Sequence, residues 1–139
     1  MRRERGSAAL LLPACVLLVV VLGGITVDHA HAFLAQRELA NAVSAAANDA
    51  ATAIDAGAYY ASGQVILDPA AAERRAAAAL TGRRGTVAEL TSWRVHVLDR
   101  GRVEVEATGV VHRIIGGGLP GGASAIRVHA RATAEGVHA

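Results

Sequence analysis

Residues 8–27, AALLLPACVLLVVVLGGITV, form a run of 20 residues with no Asp, Glu, Lys or Arg. As a helix rising about 1.5 Å per residue, the run spans roughly 30 Å, the thickness of a bilayer core. Arg2, Arg3 and Arg5 precede it, with Glu4 among them, and Asp28 follows. That asymmetry predicts a cytoplasmic N-terminus and an outer C-terminal part. The expected organisation is a basic cytoplasmic tail over 1–7, a transmembrane helix over 8–27 and an extracytoplasmic domain over 28–139. Pro13 stands near the start of the run, where a missing N–H costs least, and Gly23 and Gly24 are tolerated in membrane helices.

Two processing signals compete with this reading. Ala30-His31-Ala32 has the small-x-small form of a signal-peptidase site, but the apolar run exceeds the ~7–15 residues of a signal-peptide h-region. Leu12-Pro13-Ala14-Cys15 has the outline of a lipobox with the wrong residue in it, Pro13. Cys15 therefore reads as a small apolar residue of a membrane helix.

The composition bounds the outer part. Hydrophobic residues make up 53% and aromatics 3%, and 32 residues are Ala. Mean hydropathy is +0.34. A small chain so poor in aromatics builds a thin core of small aliphatics. One Cys excludes an intrachain disulfide framework, and a charged fraction of 19% excludes disorder. All 14 basic residues are Arg, and the net charge is +2. That charge lies wholly in residues 1–27, because residues 28–139 hold 11 Arg and 11 acidic residues. No nucleic-acid-binding face is expected.

The outer domain reads as α+β. From the membrane run to Gly57 there is no further Pro and no Gly beyond Gly24, which predicts one helix from about Ser7 to Asp55, roughly 70 Å long. Phe33, Leu39, Ala40, Val43, Ala46, Ala47, Ala50 and Ile54 share one side, and Arg37, Asn41, Ser44, Asn48, Thr52 and Asp55 another. Within the apolar side, Ala40, Val43, Ala47, Ala50 and Ile54 form a small-residue stripe suited to a partner helix, the candidate assembly interface. Asp68-Pro69 starts a short second helix, Asp as N-cap and Pro at the first position, which Gly82 ends.

The remainder is β. Trp93, Val95 and Val97 alternate with polar residues, as do Val103, Val105 and Ala107. A two-residue turn between them would mix the faces. A three-residue loop, Asp99-Arg100-Gly101 with Gly101 left-handed, pairs Val97 with Val103 and Val95 with Val105. A third strand over 125–134 completes a three-stranded antiparallel meander, with Ile126, Val128, Ala130 and Ala132 on its apolar face. Trp93 is expected as the largest core residue.

Candidate chemistry is sparse. Gly116-Gly117-Gly118-Leu119-Pro120-Gly121 fits G-x-G-x-x-G, yet a strand follows it where a dinucleotide site needs a helix N-terminus; a loop between strands is expected. His96, His112 and His129 share the outer sheet face without a carboxylate at metal-ligand spacing. Glu104 and Glu106 point the same way on one strand, as an acid–base pair would, but Arg94, Arg127 and Arg131 nearby predict cross-strand ion pairs. No nucleophile–base arrangement is visible. No catalytic residue, metal or cofactor is expected.

Arg5-Gly6-Ser7-Ala8-Ala9 before the apolar run, and ITVDHAHAFLAQRELANAVSAAANDAAT at its end, resemble the TadE/TadG-like proteins of tight-adherence (Flp-type) pilus systems. Arg37, Leu39, Asn41, Ala42, Ala45, Ala46 and Ala50 carry the pattern of that family's outer helix. The resemblance covers residues 5–55, and the remainder is similar in layout. It implies a pilin-like fold and a non-enzymatic pseudopilin or minor-pilin role, with the membrane and other pilus-assembly proteins as partners and no small-molecule substrate. It also implies processing between Gly6 and Ser7 by a prepilin peptidase. Pilins usually carry Glu at the fifth mature position, where this chain has Leu11, so the contact that sets filament register lacks its carboxylate. The rival reading is a secreted or anchored binding module, using the sheet face after cleavage near Ala32.

Overall fold

A computed structural model describes residues 5–82, 88–99, 101–115, 117 and 124–136, and the side chains from residue 10 onward. Among the described residues it is an α+β arrangement of three helices and one sheet. The elements are α1 (Arg5–Ala51), α2 (Ala56–Ser62), α3 (Pro69–Gly82), β1 (Glu89–Val97), β2 (Arg102–His112) and β3 (Ala125–Glu135). The sheet is antiparallel in the order β1-β2-β3.

α1 is a single 47-residue helix. No Pro interrupts it at the end of the apolar run, so the helix continues from that run into the folded core. It begins at Arg5, which places Pro13 in its interior and not in the first turn. The missing N–H there leaves the carbonyl one turn earlier without its helical partner. From residue 10 to Val27 the side chains are exposed apart from Gly24. Beyond it, Ala35, Leu39, Val43, Ala46, Ala47 and Ala50 are buried, a stripe at helical spacing laid across β2 and β3. Phe33, placed by periodicity on the same side, is 66% exposed; Ala35, two positions on, continues the buried stripe.

α3 starts as Asp68-Pro69 dictates: the Asp68 carboxylate accepts from the Ala70 and Ala71 N–H groups. It packs on α1 through Ala72, Ala76 and Leu80, small residues that let two helices approach closely. Between α1 and α3 the chain makes an excursion closed at its base by an Ile54–Leu67 bridge. The excursion carries α2, a helix with no buried residue. Its caps alone define it. Asp55 accepts from the Ala58 N–H, and Gly63 ends it at φ 68°, a value that favours glycine.

The hairpin has the expected register: Val97 opposes Val103 and Val95 opposes Val105. The expected left-handed turn at Gly101 runs through Arg100, which lies outside the described residues. Asp99 holds the described part of the loop. Its carboxylate accepts from the Gly101 and Arg102 N–H groups and from the Arg102 guanidinium. The Arg102 hydrogen bond, then the amides, hold the Asp99 carboxyl below its ordinary value.

On β2, Val103, Val105, Ala107 and Val111 face the core, and Val128 and Ala130 of β3 join them. The largest fully buried side chains are valines, as the composition requires. Trp93 is not the expected core residue. It pairs with Ala107, on the core side of the sheet, but α1 packs chiefly on β2 and β3, and β1 is met chiefly by α3. Trp93 is left 41% exposed.

Candidate functional site

Length brings the sheet to the end of the apolar run. An 11-residue strand extends about 36 Å, and α1 from Asp28 to Ala51 rises about 35 Å. The β1–β2 turn lies at the far end, where the Gly136 N–H donates to the Gly101 carbonyl and Gly136 lies against the Ala51 carbonyl. β2 therefore delivers the residues that follow it, Arg113–Ile115, to Asp28.

There the contacts are specific. Oδ1 of Asp28 accepts from the Ile114 N–H at 2.9 Å and from the Ile115 N–H at 3.0 Å. The Arg113 N–H donates to the Ser124 carbonyl at 3.0 Å. Asp28 is 5% exposed. One turn earlier, the Ile115 side chain rests on Gly24: a Cβ added at Gly24 would meet Ile115 Cγ2 at 2.8 Å. Gly23, beside it, has open space. Ile114 and Ile115 nevertheless remain 63% and 43% exposed. In the sequence Asp28 reads only as the charge after the apolar run, and Ile114 and Ile115 only as the end of an apolar stretch before the glycine-rich segment. A lone Asp within an otherwise neutral stretch from Gly6 to Gln36 was the available signal.

The structure divides the candidate assembly stripe. Val43, Ala47 and Ala50 are 0%, 1% and 0% exposed, inside this chain's own core, and offer nothing to a partner helix. The reason is that the stripe is the face on which the sheet folds. Ala40 and Ile54 of the same set are exposed. Gly6 and Ser7 lie in the first turns of α1, where only the backbone is described.

The outer sheet face is polar. Arg131 bridges Glu104 at 2.8 Å and Glu106 at 3.0 Å, the cross-strand pairing that the alternation predicts. The guanidinium pKa is raised, by the Glu104 hydrogen bond first. Beside this network a shallow depression of about 280 Å³ is lined by Ser92, Trp93, Arg94, Glu106, Ala107, Thr108 and His129. Among the described residues, no three of His, Cys, Asp and Glu gather as a metal site. Of the glycine-rich segment 116–121, only Gly117 is among the described residues.

Among the described residues, one helix is long and apolar enough to cross a membrane. No protein-family model, curated protein or solved structure matches the chain.

Proposed function

We propose that the chain is a single-pass, N-in membrane protein whose outer α+β domain serves in the assembly of a surface pilus or a related secretion machine, without catalysing a reaction. The observation that carries the anchored reading is the continuity of α1: one helix is both the apolar run and the spine of the outer core. Its lipid-facing length and its core-facing length cannot be separated without cutting through a helix. The assembly role rests on the resemblance of residues 5–55 to the tight-adherence pilus proteins.

The Asp28 contact weighs against the rival, a module released by cleavage near Ala32. Such a cut removes Asp28 and Gly24, the two residues on which Ile114 and Ile115 are seated. The released domain would leave two amides without their acceptor.

The surfaces left for partners are those the core does not use. They are the exposed polar side of α1, the core-side edge at Trp93, and the α2 excursion with Tyr59 and Tyr60, 45% and 87% exposed. Deleting the gene should abolish surface piliation while leaving pilin synthesis intact, and the tagged full chain should co-purify with the membrane-bound assembly proteins. Normal piliation in the deletion strain refutes the assembly role. A reporter that works only outside the cytoplasm, fused after Ala139, should be active; activity of a cytoplasm-only reporter there refutes the orientation.

A further inference from the structure

We infer that Ile114 and Ile115 are a second membrane contact, the part of a loop that enters the outer leaflet beside α1 and seats the domain on the lipid surface. This rests on the anchored reading proposed above.

Depth is the first argument. Ile115 lies against Gly24, and Gly24 is three residues inside the end of the uncharged run at Val27. At about 1.5 Å per residue that is roughly 4.5 Å below the end of the run. If the run spans the bilayer core, as its length requires, a side chain level with Gly24 is surrounded by lipid wherever the helix does not cover it. Ile114 and Ile115 keep 63% and 43% of their surface uncovered.

Backbone chemistry is the second. A loop enters lipid only if its amides are satisfied by protein, because the acyl region offers no acceptor. The amides of Arg113, Ile114 and Ile115 all have acceptors, the first on Ser124 and the other two on Asp28. Asp28 also needs the arrangement. It is the one Asp, Glu, Lys or Arg between Gly6 and Gln36, and near a membrane an uncovered carboxylate is costly. The loop covers it, leaving Asp28 5% exposed. The apolar side chains and the covered carboxylate are two consequences of one contact.

The chain's one Trp is Trp93, so a Trp93→Phe background reports from a single new position. In that background, Ile114→Trp, Val20→Trp and Tyr60→Trp are each reconstituted, as full chains at low density, in phosphatidylcholine vesicles carrying a nitroxide high or low on the acyl chain. Ile114→Trp should emit to the blue of Tyr60→Trp and lose more emission to the high nitroxide than to the low one. Val20→Trp should lose more to the low one, and Tyr60→Trp should lose little to either. If Ile114→Trp is as unquenched as Tyr60→Trp while Val20→Trp is quenched, the loop inference fails and the anchor stands. If Val20→Trp is also unquenched, both fail. A spin label on Ile114→Cys in a Cys15→Ser background repeats the reading without the bulk of an indole. Relaxation by oxygen above that by a water-soluble nickel chelate supports the contact, and the reverse order overturns it.

Discussion

Asp28 Oδ1 accepts both the Ile114 and the Ile115 N–H, so Asp28→Ala leaves two amides without their acceptor. An unsatisfied, partly buried donor costs on the order of 1–3 kcal/mol. Asp28→Asn keeps an oxygen in place and should lose less. Thermal unfolding of the full chain in detergent, with proteolysis near Ile115 as the local readout, should rank wild type above Asp28→Asn above Asp28→Ala. Equal stability for all three removes the role given to this carboxylate. Glycines give a second contrast at the same scale. Gly63 sits at φ 68°, so Gly63→Val forces a β-branched residue into the left-handed region at roughly 1–2 kcal/mol. At Gly101 an added Cβ meets nothing within 4 Å, so the cost of Gly101→Val is set by the backbone alone. A loss from Gly101→Val as large as that of Gly63→Val in the same melts would support the left-handed turn that the sequence suggests, and a near-neutral effect would remove it. In the same loop the Asp99 side chain accepts from the Gly101 and Arg102 N–H groups.

Among the elements, α1 carries the sharpest test. Ala47 is 1% exposed in the core, and Ser44, one turn away on the polar side of α1, is exposed. Ala47→Glu buries a charge without a partner, at a cost of several kcal/mol, and should abolish cooperative unfolding of the outer domain; Ser44→Glu should leave its melting temperature almost unchanged. A folded Ala47→Glu domain would mean that the stripe faces a partner after all. The elements most legible in the sequence are those whose signals are local. Asp68-Pro69 and Gly82 bound α3, and the alternation of Val95 and Val97 against Val103 and Val105 sets the hairpin register by parity. α2 escaped because it buries no residue and so has no periodicity to read; its signals were the caps, Asp55 and Gly63. Trp93 was misjudged because alternation gives a side chain's face but not what covers that face, and α1 packs chiefly on β2 and β3.

At the scale of the whole molecule, the matched lengths of β2 and of α1 from Asp28 to Ala51 join the sheet to the end of the apolar run. That long-range consequence cannot be read from any window of sequence, which is why the seat of Ile114 and Ile115 on Asp28 and Gly24 was not anticipated. The α+β layout itself was legible, because the uncharged run, the unbroken helix and three alternating segments each specify one element. The candidate assembly stripe was legible as apolar and small, but a core face and a partner face look alike until the sheet is placed on one of them. The central claim is that α1 remains whole, as anchor and spine together. It is tested most directly by the intact mass and N-terminal sequence of the chain, carrying a C-terminal tag and recovered from fractionated cells. The account predicts recovery in the membrane fraction with residues 8–32 present, starting at Met1 or at Ser7. Recovery in the soluble extracytoplasmic fraction with Phe33 as the first residue would contradict it.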